Sequence, residues 1–254
     1  MTPCYYIEGI EVVDRIKYLG LEIVNDRDLF KEQRNIIVRK AEEQSCRVRD
    51  NIERGYNKLE IGKLWWKNGV MMSVLVGIGV ISLYVKDIVH LQRKENGVYR
   101  QLLGGRKDTP IPILRGEVGS STVKSRVIQA RLILVKAILE GENRLLKQVL
   151  EAIMRVGNGR WYNTFMEYLG DVGLTYEEFV RLDRSEVKLK VRNYDNKVWQ
   201  DNLCQLTTRE IYRRFKRSIG RSYGYDNRLE SELLFRARSN SLDLNDFKGL
   251  ISFK

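Results

Sequence analysis

From Asn68 to Val85 the chain carries no charged side chain and is dominated by Val, Ile, Leu and Met. At about 18 residues this stretch reaches the lower bound for a membrane span, so it belongs either in a protein core or in a bilayer. Gly69, Gly77 and Gly79, with Ser73 and Ser82, dilute it, and Lys67 and Lys86 flank it. The reading adopted is a buried core helix over about 59–85. Such a helix needs partners to cover it.

Those partners are legible as helices with weaker stripes. Before them, Tyr6, Ile10, Val12 and the run Ile16–Val24 carry the β-branched and aromatic residues of two or three short strands, with Gly9 and Asp14 as turn residues. Leu29 to Tyr56 contains no proline and is rich in Arg, Glu, Gln and Lys, with Ile37, Ala41, Val48 and Ile52 as a sparse apolar stripe. That pattern predicts a long, largely solvated helix. Over 87–103, Ile88, Leu91, Val98, Tyr99 and Leu102 recur at roughly helical spacing, and Gly104 and Gly105 end the helix. The segment 106–121, with Pro110 and Pro112, is expected to be a linker.

From Thr122 the chain is helical again, with one helix through Ile138, a turn at Gly141 and another over Leu145–Ile153. A polar connector is expected over 157–173. Thr175 with Glu178 and Thr207 with Glu210 have capping-box spacing, the second opening a helix over 211–219. The predicted fold is mainly α with a small N-terminal β element: a sheet over 1–26, a three-helix bundle over 27–105, the linker, and a second, basic helical region over 122–254.

Composition narrows the chemistry. Lys and Arg number 45 against 33 Asp and Glu, a formal charge of +12, which favours polyanionic partners. The three cysteines, Cys4, Cys46 and Cys204, are scattered and odd in number, which argues against a disulfide framework. With His90 as the single histidine and no Cys-x-x-Cys pair, zinc sites and histidine triads are excluded. Glu42-Glu43 and Glu177-Glu178 are adjacent on helices and so diverge by about 100°. No Gly-rich run has the spacing of a phosphate-cradling loop. Met1 to Cys4 leads into Tyr5, Tyr6 and Ile7 without a signal-peptide pattern, so a nuclear or cytoplasmic location is expected.

The charge is concentrated toward the C-terminus. Arg209 to Arg221 holds six basic residues and one acidic, interleaved with Tyr212 and Phe215 and followed by Tyr223 and Tyr225. Cations that neutralise phosphates and aromatic faces that stack on bases are what nonspecific nucleic-acid contact requires. Arg213, Arg214, Lys216, Arg217 and Arg221 are the candidates there. On the first long helix Lys31, Arg34, Arg39, Lys40 and Arg47 offer further phosphate partners.

Four segments also resemble a known family. Ile16-Lys17-Tyr18-Leu19-Gly20-Leu21-Glu22-Ile23 is similar to the segment where the palm hands over to the thumb in reverse transcriptases of LINE-type (non-LTR) retrotransposons. Leu91-Gln92 through Asn96, Arg100, Leu102-Leu103-Gly104 resembles a second family segment, and Thr109-Pro110 with Leu114-Arg115-Gly116-Glu117-Val118-Gly119 a third. Leu234 to Leu242 with Leu244-Asn245-Asp246 resembles the stretch after the thumb, and brings Arg236 and Arg238 into the candidate set. The order is the family's, and the segments span nearly the whole chain.

The resemblance implies a thumb and connector that grip template and primer, with RNA, DNA or an RNA/DNA hybrid and the palm region as partners. It implies no small-molecule substrate and disfavours a membrane. In the intact relative, palm aspartates in an Ala-Asp-Asp signature hold Mg2+ for nucleotide transfer. This sequence has no adjacent Asp-Asp, so neither catalytic residue nor cofactor is assigned to it. Palm and Cys/His knuckle would lie upstream of Met1 and beyond Lys254, making the chain a catalytically incomplete fragment. A second reading stays open: a free-standing basic helical interaction module, membrane-associated or packed on a partner through 69–85.

Overall fold

The computed structural model describes residues 5–7, 10–18, 21–26, 28–52, 58–206, 210–220, 222, 225 and 229–239. The chain is mainly helical, with a small antiparallel β element at its N-terminal end, in agreement with the expected fold class. β1 (Tyr5–Ile7) pairs with β2 (Ile10–Val12), and β3 (Arg15–Tyr18) pairs with β4 (Leu21–Val24), placing Ile16 opposite Ile23. β4 lies against the first helix, where the Glu22 N–H donates to Gln33 Oε1 at 2.9 Å.

α1 (Lys31–Ile52) buries Ile37, Ala41 and Val48 of the expected stripe, whose fourth member, the Ile52 side chain, lies outside what is described, and packs on α4 (Val85–Leu103). Between them the expected single helix is three pieces. α2 (Lys58–Leu64) widens into a π-helical stretch, Trp65–Met71, and ends with α3 (Met72–Val74). The wider turns bring Trp66, Val70, Met71 and Val74 to the core together. The apolar run then leaves the helix. Gly77 adopts φ +68°, and a Cβ there would meet Leu21 Cδ2 at 2.5 Å, so the turn requires glycine. Residues 75–84 instead bury Ile78, Ile81 and Leu83 as non-helical chain.

Arg131, fully buried, holds that chain in place. Its guanidinium donates to the carbonyls of Ile81 (3.0 Å) and Trp161 (3.2 Å) and stacks 4.7 Å over the Trp161 ring. Burial pulls its pKa down to about 10. No described helix is long and apolar enough to cross a membrane.

α4 buries Leu91, Val98, Tyr99, Leu102 and Leu103 and ends at Gly104 in the left-handed region, as expected. The segment 106–121 is not a linker. It holds α5 (Ile111–Val118), in which every residue from Ile113 to Val118 is buried. Pro110 stands at its N-cap and Pro112 in its first turn, where a missing N–H leaves no gap in the helix ladder, so the prolines start a helix.

α6 (Val123–Glu140) is capped by Thr122 and ends at Gly141, and α7 (Arg144–Val156) follows. The expected connector over 157–173 contains α8 (Arg160–Asp171), whose Phe165 and Leu169 are buried. α9 (Tyr176–Arg181) opens on the expected Thr175–Glu178 capping box, and Asp183 with Glu186 forms another at the start of α10 (Arg184–Cys204). α11 (Glu210–Phe215) is shorter than expected, and Thr207, its expected cap, lies outside the described residues. α12 (Leu229–Arg238) returns to pack on α4. α6 is covered by α8 and α10, and α5 touches both α4 and α10, so one core runs from Ile37 to Phe235.

This placement of α5 predicts the effect of one substitution. Ile113→Ala should lower unfolding free energy by about 2–5 kcal/mol in denaturant titration, the cost of a core cavity. At a linker position it would cost well under about 0.5 kcal/mol.

Candidate nucleic-acid interface

Among the described residues three carboxylates lie inside this basic protein: Glu95, Glu117 and Asp195, at 0%, 2% and 3% exposure. Each is fully matched. Both oxygens of Asp195 accept from Arg115 Nη2 (2.9 and 3.0 Å), and Oδ1 also accepts from Ser125 Oγ (2.6 Å) and Thr122 Oγ1 (3.0 Å). Glu95 accepts from Trp66 Nε1 (3.0 Å), the Tyr99 hydroxyl (2.8 Å) and Arg126. Glu117 accepts from the Tyr212 hydroxyl (2.9 Å), the Tyr225 hydroxyl and Arg238 Nη1 (3.3 Å). Burial, reinforced by the neighbouring carboxylate, pushes the pKa values of Tyr99, Tyr212 and Tyr225 up, so all three phenols stay protonated donors.

Three of the four segments that carry the family resemblance meet in this frame; the first, Ile16–Ile23, does not take part, and the last is described only as far as Ser239. Arg238, from the last, reaches Glu117 in the third, and Arg236 Nε donates to the Gly104 carbonyl at 3.2 Å in the second. Arg100 donates to the Thr109 carbonyl (3.2 Å), and Gln92 Oε1 accepts from the Val123 N–H (2.8 Å).

The frame sorts the candidate cations. Arg34 is inside: it is 5% exposed, forms a two-pronged ion pair with Asp28, and lies 4.7 Å from the Tyr84 ring centre. Lys216 donates to the Gly220 carbonyl (2.7 Å) and Ser222 Oγ (2.6 Å), and burial lowers its pKa. Arg236 and Arg238 are held as described. Arg34, which is buried, and Lys216 and Arg236, which are half-buried, are thus engaged within the fold rather than presented to solvent, whereas Arg238 bonds Glu117 and the Tyr225 hydroxyl and still leaves 38% of its side chain exposed. Arg213 donates to the Cys204 carbonyl at 3.3 Å. Arg221 lies outside the described residues.

The rest face outward. Lys31, Arg39, Lys40 and Arg47 are exposed on α1, and Lys40 and Arg47, two turns apart, share one face. Lys31 stands 3.9 Å from Asp26 and Arg39 3.8 Å from Glu43, contacts of a strength that a phosphate can outcompete. Glu42 sits between Lys94 (3.1 Å) and His90 (3.2 Å), with Lys94 chiefly holding its carboxyl below the usual range. His90 thus pairs on a helix surface. Arg214 and Arg217 are exposed near α11.

Another cationic group is not among the residues expected from the sequence. A cavity of about 700 Å3 lies between residues 72–78, the 119–121 turn and α6, and adjoins one of about 320 Å3 between α6 and α10. Lys67, Arg126, Lys188 and Arg192 line them. The i, i+4 spacing of Lys188 and Arg192 was the available signal, readable only once α10 is recognised as a helix.

Among the described residues no cluster of His, Cys, Asp and Glu could hold a metal ion. Cys46 and Cys204 are exposed and unbridged. The chain matches no protein-family model, no curated protein and no solved structure.

Two stability predictions follow from the ion pairs. Asp195→Ala strands Arg115 in the core and should cost about 3–5 kcal/mol, whereas Glu43→Gln on the surface should cost under about 1 kcal/mol, both read by denaturant titration. At Asp28, the Arg34 hydrogen bond holds the carboxyl below its ordinary value of 3.8. A group lowered on folding stabilises above its unfolded pKa and loses that effect as pH falls through the folded one. The stability gap between the native protein and Asp28→Asn should therefore be present above pH 4 and close progressively below it, in melts run across pH.

Proposed function

We propose that this chain is a nucleic-acid-binding thumb and connector of a LINE-type reverse transcriptase, gripping RNA, DNA or an RNA/DNA hybrid through its phosphates. The observation that carries the reading is the meeting of three resemblance segments in one buried ionic frame. Segments that resemble one family and also contact one another describe a structural unit, whereas chance matches would scatter over the fold. The exposed cations of α1 and of the region around α11 supply the chemistry: point charges that release counterions from a phosphate backbone without reading bases.

The division of labour follows from the residue inventory. Nucleotide transfer in the intact relative belongs to palm aspartates and Mg2+, and this sequence has no Asp-Asp pair, so its own part is to hold template and primer. The palm is then its protein partner, in the nucleus or cytoplasm. A second reading, a helical interaction module, is favoured by one observation: α7 exposes Leu145, Leu146, Val149 and Val156 along its length.

Fluorescence anisotropy with a labelled RNA/DNA hybrid tests the leading reading. Binding should weaken steeply with salt, and the combined change Lys31→Glu, Arg39→Glu, Lys40→Glu and Arg47→Glu should reduce affinity by at least about tenfold. The log-log salt slope should become shallower by roughly one for each phosphate contact removed. Undetectable hybrid binding in low salt would overturn the proposal and leave the interaction module as the better account.

A further inference from the structure

The two adjoining cavities share Gly119, Ser121, Arg126, Gln129 and Lys188, so they form one groove from residues 72–78 across α6 to α10. Its volumes fall within the roughly 300–1,000 Å3 range of ligand sites. Its electrostatics are unbalanced in a specific way. Of the charged groups lining it, Arg126 is neutralised by Glu95, and Asp195 by Arg115. Lys67, Lys188 and Arg192 are exposed, and no carboxylate forms an ion pair with any of them among the described residues. Three uncompensated cations therefore surround a concave surface.

The other half of the groove is apolar. Met72 and Val76, at 66% and 45% exposure, stand at its rim, with Leu75, Ile78 and Ile133 behind them. Apolar side chains left in water next to unpaired cations suit a ligand with an anionic edge and a flat, weakly polar edge. A single nucleic-acid strand has that form: phosphates along one side and unpaired bases free to turn to the other. A duplex does not, because its bases are stacked inside and its phosphates lie on a convex surface that a cavity of this size cannot admit.

Resting on the nucleic-acid reading above, we infer that this groove seats a single strand, distinct from the hybrid held by α1. The strand's phosphates lie on Lys67, Lys188 and Arg192, and its bases or sugars cover Met72 and Val76. None of these contacts reads base identity, so the site is tolerant of sequence. Because Arg126 and the 119–121 turn form the groove floor, the buried frame around Glu95 and Asp195 sets its shape.

A labelled oligo-U or oligo-dT, which forms no duplex, tests the inference alongside the hybrid. The triple variant Lys67→Glu, Lys188→Glu and Arg192→Glu should lose at least tenfold in oligonucleotide affinity and change hybrid affinity by less than threefold. The α1 variant should do the reverse. Should the triple variant fail to fold, Lys188→Ala and Arg192→Ala, both at exposed positions, should each weaken oligonucleotide binding about threefold and lower the salt slope by roughly one. Unchanged oligonucleotide affinity in these variants, with hybrid binding intact, overturns the groove and leaves the thumb reading standing. Loss of both ligands from the native protein overturns both. Binding to phosphatidylserine vesicles that the triple variant loses, without oligonucleotide binding, would assign the groove to a lipid headgroup and overturn the strand.

Discussion

The packing of α4, α5, α6, α10 and the C-terminal segment is arranged around three carboxylates with almost no access to water. An ionised carboxyl in a protein interior is tolerated only where cations and hydrogen-bond donors replace its hydration shell. Glu95, Glu117 and Asp195 obtain that shell mostly from residues far away in sequence: Trp66 and Arg126 for the first, with Tyr99 one turn along the same helix, Tyr212, Tyr225 and Arg238 for the second, Arg115, Thr122 and Ser125 for the third. The donors can converge only if α4, α5, α6, α10 and the C-terminal helices stand in their observed positions. Apolar packing alone would tolerate small slides of one helix over another. A carboxylate with three or four directed partners does not.

The same constraint decides where the positive charge acts. A chain with +12 formal charge has cations to spare, and the frame draws several of them inward. Arg115 and Arg126 complete the interior, Arg236 and Arg238 tie its edge from more exposed positions, and Arg131 bridges backbone carbonyls without a carboxylate at all. Among the cations that remain outside are groups on α1, around α11 and along the groove between α6 and α10, with others such as Lys17, Lys107, Arg144 and Arg155 dispersed over the rest of the surface. Buried and exposed cations are thus chemically alike and differ only in what surrounds them.

This difference explains what could be read in advance. Local signals were legible: the stripe of α1, Gly104 at the end of α4, the helix start at Thr122 and the Thr175–Glu178 box all depend on residues within a few positions of one another. Where two local signals competed, tertiary packing chose. Pro110 and Pro112 suit a loop or a helix start, and burial of Ile113 to Val118 selected the start. The apolar run after Asn68 suits a continuous helix, but Gly77 and the grip of Arg131 on the Ile81 carbonyl favoured a turn. α8 has no strong cap signal, since Gly159 stands at its N-cap, whereas α10 opened on a readable Asp183–Glu186 box. The candidate site was half legible. Exposed cations on α1 follow from a polar helix face, but nothing near Arg238 reveals that its partner is Glu117, 121 residues away.

Burial sorts the cations, and the proposed function gives the exposed ones of α1 the task of holding nucleic acid. Lysine acylation followed by mass spectrometry, on the protein alone and saturated with an RNA/DNA hybrid, measures this residue by residue. Lys136 and Lys216, bonded to the Val180 and Gly220 carbonyls, should react slowly in both states. Lys31 and Lys40 should react readily in the free protein and become protected by the hybrid. Equal reactivity of Lys31 and Lys40 with and without bound hybrid, or rapid modification of Lys216 in the folded protein, would contradict the account.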